Sequence, residues 1–326
     1  MQINKKENMK AALERRQPEW AVPIWELEFH IWNLFSDKKI ILGTEFVSLT
    51  AGEQERALHM NAAVMADVAA KMHFSAMTVP GGYWEIAPGK PAYYWLPPEA
   101  RLRQTAILVE AVGAEILLIA NTGGVISMPG SNDYVEFSYK LFDAPEEIDA
   151  RARNTLASGL DSAKRLRDLG VEGMCSPSDI ADNKGLFFNP EQMRRFILPY
   201  LGEWAREVKK LGAYSILHTD GNLSACLEDI AASGIDALQA IDPVAGMDIR
   251  KVKIQAGKRL CLCGNVDCGL LLSGMPADVY QATRDLLLDC KQGGGLVLGA
   301  SNAIQQEVSR ANYCAMIEAW KDYGRY

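Results

Sequence analysis

The chain has 326 residues, 48% of them hydrophobic and 23% charged, enough apolar material for a sizeable buried core. A formal net charge of −7 with no Lys/Arg-rich block argues against a phosphate backbone or an anionic membrane surface as partner. The first stretch, MQINKKENMKAALERRQ, lacks the apolar centre of a signal peptide, so the odd count of seven cysteines points to free thiols in a reducing cytoplasm.

In that first stretch Lys5, Lys6, Lys10, Arg15 and Arg16 are interleaved with acids and read as one face of a solvated helix. Then comes AVPIWELEF (21–29), the first of eight candidate strands. The second is HFSAMTV (73–79), and behind it lies an insertion rich in aromatics, Gly and Pro, GGYWEIAPGKPAYYWLPPEA (81–100), expected to form a hairpin or lid. The most apolar segment, TAILVEAVGAEILLIA, is broken by Glu110 and Glu115 and so is no uninterrupted membrane span. Its second half supplies strand three, AEILLIA (114–120). A helical pattern, PEEIDARARNTLASGLDSAKRLRDLG, leads to strand four, VEGMCS (171–176). Next, NPEQMRRFILPYLGEWAREVKKLG has Asn189 as N-cap, Pro190 at the first helical position and Gly212 at its end. Strands five to eight are AYSILHT (213–219), IDALQAI (235–241), KRLCLCG (258–264) and GLVLGAS (295–301). Before the last, Pro276 opens a helix to about Lys291, and GGG at 293–295 ends it. Strands alternating with helices imply parallel pairing through crossovers. Eight of them predict an α/β fold of the (β/α)8 TIM barrel type, a single domain over 1–326.

In such barrels the active site lies at the C-terminal ends of the strands. Strand one ends in Trp25, Glu26, Glu28 and His30, and strand four runs into Ser176, Ser178, Asp179 and Asp182. Strand five ends in His218 and Asp220, strand six in Asp242, strand seven in Asn265 and Asp267, strand eight in Ser301 and Asn302. Polar groups converging over an apolar barrel are the form expected of a small-molecule site. The period of two sets His218 and Asp220 on one face, and Cys261, Cys263 and Asn265 on another, with Cys263 one layer below the rim. His218, Asp220 and Cys263 are therefore a candidate metal set, since a catalytic zinc takes three such ligands and one open position. The plainer alternative makes His218 a hydrogen-bonded barrel histidine whose tautomer Asp220 fixes, and the cysteines small core residues. Two acids in an apolar strand, Glu26 and Glu28, are costly to bury unless paired or used. Trp25, Trp84, Tyr93, Tyr94 and Trp95 either cover the barrel or stack on a flat ligand.

HTDGN on strand five, LCLCGNVDC on strand seven and GGGLVLGASNAI on strand eight resemble the uroporphyrinogen decarboxylase superfamily, as does the C-terminal MIEAWKDYGRY. The likeness runs from about residue 170 to the end, and strand one with its preceding helix also fits. The resemblance implies a (β/α)8 barrel and one of two chemistries, decarboxylation of tetrapyrrole acetates or methyl exchange with a corrinoid protein. The decarboxylases carry arginines just after strand one. Here PIWELEFHIWNLF offers Glu26, Glu28 and His30 instead, and two acids would repel a polycarboxylate. The zinc methyltransferases of the family use a His-x-Cys pair on strand five and a cysteine at the end of strand eight. This chain has His218-x-Asp220 and then Gly299, Ala300, Ser301 and Asn302, which implies either a harder zinc site completed by an acid such as Glu26, or no metal.

The expectation is a corrinoid-dependent methyltransferase that moves a methyl group from an O-methyl substrate, such as an aryl methyl ether, to the cobalamin-type corrinoid of a separate protein. His218, Asp220 and Glu26 are its expected catalytic residues. Trp25, Glu28, His30, Trp84, Asp179, Asn265 and Asn302 are expected to bind substrate. The implied partners are a small-molecule methyl donor and the corrinoid protein, in the cytoplasm, and the resemblance admits a homodimer. The rival readings are a lyase acting on a small acid, with His218 and Asp220 stabilising the carbanion, and a non-catalytic tetrapyrrole or corrinoid binder.

Overall fold

The structure, a computed structural model, describes residues 4–81 and 94–326, together with the backbone at 85–87 and 90–91. Seven parallel strands follow one another in space as they do in sequence: Ala76–Thr78, Leu117–Asn121, Gly173–Pro177, Tyr214–Thr219, Ala237–Ala240, Cys261–Cys263 and Leu296–Val297. Residues 23–25 close the ring as strand one. Trp25 N–H donates to Leu298 O at 3.0 Å and Leu298 N–H to Pro23 O at 2.8 Å, while on the other side Ser75 N–H donates to Ile24 O at 2.9 Å. All eight expected strands are present, and the fold is a (β/α)8 barrel. Strand one is the least regular because Pro23 has no N–H to give and the chain bends at Leu27.

Burial on both faces explains why these strands read as apolar runs rather than as alternating ones. Trp25, Leu27, Ile119, Cys175, Ile216, Cys263 and Val297 fill the barrel interior, and a larger apolar layer separates strands from helices. Met9, Ala12 and Leu13 of the helix Lys5–Leu13 belong to the interior group, so this helix plugs the N-terminal end of the barrel. Its basic residues depart from the solvated face expected of them. Lys6 and Lys10 pair with Glu172 at 2.5 and 2.9 Å, and Arg15 reaches Asp236 at 4.0 Å, both acids standing just before strands. Burial lowers the Lys5 ammonium below its usual range. Only Arg16 among the five stays largely in solvent.

The long helices lie where the periodicity puts them, at Pro145–Asp168, Pro190–Lys210 and Pro276–Cys290. Asn189 Oδ1 accepts from the N–H groups of Glu191 and Gln192, and Gln192 answers by accepting from Asn189 N–H, a complete capping box. Met193–Ile197 widens into a π-turn just ahead of Pro199, whose ring cannot donate to the preceding turn. The glycines at 293–295 all take positive φ (79°, 77° and 66°), which ends the helix before strand eight. In the insertion, Glu85–Ala87 pairs antiparallel with Lys90–Pro91, the expected hairpin; Trp84 and Tyr93 lie outside the described residues. All seven cysteines are free thiols, and among the described residues no helix is long and apolar enough to cross a membrane.

Candidate active site

Strand five carries the centre of the site. Ile216 points into the barrel core, and His218 follows it on the same face one layer higher, 3% exposed. The turn after Asp220 needs Gly221: its φ is +90°, and a Cβ there would lie 2.6 Å from the backbone of Ala181 in the loop after strand four. That close approach brings Asp179 alongside. Asp179 Oδ1 accepts from Asp220 N–H at 2.9 Å and stands 3.9 Å from His218 Nε2. Asp179, His218 and Asp220 thus present three ligand atoms within 4.8 Å of one another, with the Asp179 side chain 40% exposed.

The histidine's tautomer follows from a residue that sequence reasoning passed over. Gln239 on strand six donates both hydrogens of its amide, to Ala300 O at 3.2 Å and Ser301 O at 3.4 Å. Its Oε1 is left to accept, and its partner is His218 Nδ1. Nδ1 must carry the proton, so Nε2 turns a lone pair toward the two carboxylates. Burial, with the neighbouring charges of Asp179 and Asp242, pushes the Asp220 carboxyl up to about 6, against the opposing pull of His218 and a hydrogen bond from Asn302 Nδ2 at 2.5 Å. Two hard oxygens and one imidazole nitrogen, open on one side, suit a divalent cation such as zinc.

The other expected site residues divide. Cys263 is not in this group. It is wholly buried in the barrel interior beneath the mouth, where burial holds its thiol protonated, and Asp179 stands as the third donor instead. Glu26 is also elsewhere. The bend at Leu27 breaks the period of two, so Glu26 points out of the barrel wall and Glu28 into the mouth. Glu26 accepts from Ala300 N–H and from the Tyr313 hydroxyl, both at 2.9 Å, and its burial raises its carboxyl to about 8. Trp25 is core, its indole N–H donated to Thr78 Oγ1 at 2.9 Å.

Glu28 and His30 do reach the mouth. Their side chains meet at 2.8 Å, and the His30 ring stacks on Tyr94 at 5.0 Å. Asn302 spends its amide on Asp220 and on Ala303 N–H, while Asn265 donates to Ile241 O at 2.7 Å. Several strand-end polar groups are local caps: Asp182 for Lys184 and Gly185, Asp242 for Val244, Asp267 for Gly269 and Leu270. Ser176 and Ser178 bond to each other at 2.9 Å, and Ser178 donates onward to Val125 O.

Arg101, in the first turns of the helix Pro98–Val112, was not foreseen, because in sequence it is one of two arginines near the start of a helix. It lies close enough for its charge to act on Glu28, and it donates to Asn121 O at the end of strand three.

Comparison with known proteins adds four findings. The family model described as uroporphyrinogen decarboxylase (URO-D) matches residues 100–323. A uroporphyrinogen decarboxylase of Coxiella burnetii is 32% identical over 145 residues, 44% of this chain and 39% of that protein, so the chain spans about two fifths of that relative's length. The methylcobamide:CoM methyltransferase MtaA of Methanosarcina barkeri is 23% identical over 231 residues, 69% of this chain and 63% of that protein. Among solved structures, a methyltransferase from Methanosarcina mazei superposes with a TM-score of 0.67 at 17% identity, covering 99% of both chains, which shows the shared barrel.

Proposed function

The chain belongs to the uroporphyrinogen decarboxylase family, and within that family we propose that it is a methyltransferase. It takes the methyl group of an O-methyl compound, an aryl methyl ether in the leading case, and delivers it to a corrinoid carried by a separate protein. The observation that carries this reading is the His218 Nε2 lone pair, held by Gln239 and facing Asp179 and Asp220. Similarity to MtaA, named for a methylcobamide substrate, supports the methyl-transfer branch.

An ether resists cleavage because its oxygen leaves poorly as an anion. Methyl transfer to a reduced corrinoid would leave the C–O electron pair on oxygen, and that oxygen must be neutralised as the bond breaks. The chain's own contribution sits at one atom. His218 Nε2, when protonated, holds its proton between two carboxylates and gives it to the departing oxygen, while Gln239 keeps the ring from turning. Asp220 and Asp179 stabilise the positive imidazole beforehand. A zinc ion held by Asp179, His218 and Asp220 would instead supply Lewis-acid polarisation of the same oxygen. With two carboxylates where a sulfur-rich site would have thiolates, the donor set favours an oxygen-bound methyl group over a thiol.

The test is to mix the purified protein, a reduced corrinoid protein and a panel of methoxyarenes, methanol and methylamines. The methylated corrinoid is followed by its absorbance and free phenol by chromatography. Phenol released with wild type and lost in His218→Ala is expected. Carbon dioxide from a small acid, with no methyl transfer anywhere in the panel, would overturn the proposal. Metal analysis separates the two modes of oxygen activation: stoichiometric zinc that disappears in His218→Ala points to the Lewis acid.

A further inference from the structure

Glu26 is a buried acid with no part in the chemistry of the mouth. It lies in the barrel wall, 3% exposed, where a leucine would be cheaper to bury. What it holds is one short piece of chain. Between strands one and eight the backbone bonds stop at Leu298 and resume at Ile304, whose N–H donates to Glu28 O at 2.8 Å. In the gap, the N–H of Ala300 goes to a side chain instead, Glu26 Oε2 at 2.9 Å. Gly299 leaves the way open, since a Cβ there would stand 3.2 Å from that oxygen. The other oxygen, Oε1, is fixed by the Tyr313 hydroxyl at 2.9 Å. The piece so held reaches both sides of the candidate site. Ala300 O and Ser301 O receive the amide of Gln239 at 3.2 and 3.4 Å, which leaves the Gln239 oxygen for His218 Nδ1. One residue on, Asn302 Nδ2 donates to Asp220 at 2.5 Å.

We propose that Glu26 is a positioning residue of the candidate site, acting through residues 300–302 on both His218 and Asp220. Without its oxygen, the Ala300 N–H is a buried donor with no acceptor, and the segment moves to find one. The two carbonyls move with it, and Gln239 loses the fixed order of its oxygen and nitrogen. With that amide turned over, an N–H of Gln239 faces His218 Nδ1, which can accept it only in a ring whose proton sits on Nε2. The other anchors of the segment lie on the strand-seven side: Ser301 N–H on Val266 O at 2.8 Å, Cys268 N–H on Ser301 Oγ at 3.2 Å and Asn302 N–H on Cys268 Sγ at 3.1 Å. On the strand-one side, the hold at Ala300 is Glu26. In its bearing on methyl transfer this rests on the function proposed above; as a statement about the imidazole it does not.

The experiment reads the His218 tautomer by nitrogen-15 correlation spectra, at a pH where the ring is neutral and with no methyl donor or corrinoid present. Glu26 bonds to neither His218 nor Gln239, so a tautomer that answers to it reports positioning. Glu26→Met is expected to raise the Nε2–H tautomer from below detection to roughly a tenth of the rings or more, the effect of losing one net hydrogen bond. Glu26→Gln keeps an oxygen for Ala300 N–H and should hold the wild-type tautomer. Tyr313→Phe removes the other bond of Glu26 without touching Ala300, and should hold it too. If Glu26→Met alone does not fold, Glu26→Met with Tyr313→Phe, which strands no hydroxyl, gives the same reading. A single Nδ1–H tautomer in the folded methionine variant, a mixture in Glu26→Gln, or an equal mixture in Tyr313→Phe each overturn the proposal. Where methyl transfer is observed, Glu26→Met should lower kcat about tenfold with KM within about twofold. Transfer absent from wild type would remove the functional reading and leave the tautomer result standing, and an unmoved tautomer beside active transfer would do the reverse.

Discussion

Replacing Gln239 by leucine removes three interactions at once, the acceptor for His218 Nδ1–H and the two bonds given to Ala300 O and Ser301 O. At a net contribution of about 1 kcal/mol each, the loss of stability is roughly 3 kcal/mol, with the buried carbonyls left to find other donors. The effect on chemistry is separate. A hydrogen bond to a charged imidazole contributes about 1.5–3 kcal/mol, so without it the doubly protonated ring loses its partner at Nδ1 and the neutral ring is free to change tautomer, and transfer should slow roughly ten- to a hundredfold. Nitrogen-15 correlation spectra read the tautomer directly, and with four histidines in the chain the His218 signals are assignable by a single His218→Ala spectrum. In its neutral form the wild-type ring should show a protonated Nδ1 and an unprotonated Nε2, and Gln239→Leu a mixture. Gln239→Glu separates the two effects, since it keeps the acceptor while losing both donors: the tautomer should return although the protein is less stable. A neutral wild-type His218 ring whose single proton sits on Nε2, or a tautomer indifferent to Gln239, would refute the reasoning.

Three further outcomes follow from the same geometry. Asp220 titrates near 6 in the folded chain against an ordinary 3.8, so the cost of its buried charge is absent below pH 3.8, grows to pH 6 and is constant above. Asp220→Asn should therefore stabilise the protein at pH 8 by roughly 1–2 kcal/mol after allowance for its partial exposure, and by nothing at pH 3, as denaturant unfolding at the two pH values would show. Glu26 is raised from 4.5 to about 8, so the stability contributed by its protonated form is full below pH 4.5 and is lost as the pH rises through 8. Glu26→Gln should flatten that part of the pH–stability curve, whereas an unchanged slope would show that another group sets it. At Gly299 a Cβ would stand 2.1 Å from Trp25 O, so Gly299→Ala should cost about 3 kcal/mol by prising strand one from strand eight, measured as a fall in the urea midpoint with no change in slope.

Most of the barrel is legible in the sequence, because buried parallel strands cannot hide their apolar runs and the helices between them carry Pro at the start and Gly at the end. What resists reading is non-local. Lys6 and Lys10 look solvated because the acid that takes them, Glu172, lies far along the chain. Glu26 and Glu28 look equivalent because a period of two puts them on one face, and only the bend at Leu27 parts them, one toward Tyr313 and the other toward Arg101. His218 and Asp220 are found by alternation alone. Their third companion needs the loop geometry of Gly221 and Ala181, so Asp179 is read merely as a binding residue and Cys263, correct in face and one layer too deep, takes its place. Gln239 did carry a signal, a lone amide inside the apolar run IDALQAI, and the question to ask of it was which histidine it faces.

Charge at the mouth is an argument for the proposed methyl-transfer chemistry that is independent of the count of matching residues. Glu28, Asp179, Asp220 and Asp242 stand around the mouth, and among the described residues the basic groups that act on Glu28 and Asp220 there are His30, His218 and Arg101. Burial first, and then the charges of Asp179 and Asp242, push the Asp220 carboxyl upward. At the other end of the barrel the balance is different, for the acids before strands four and six are met by Lys6, Lys10 and Arg15. A tetrapyrrole bearing many carboxylates would enter a mouth whose own acids are under-compensated, and each carboxylate would meet a like charge in a partly desolvated space. A neutral ether meets no such opposition, and the proton or cation that its oxygen requires is what a cluster of carboxylates around one imidazole is built to hold.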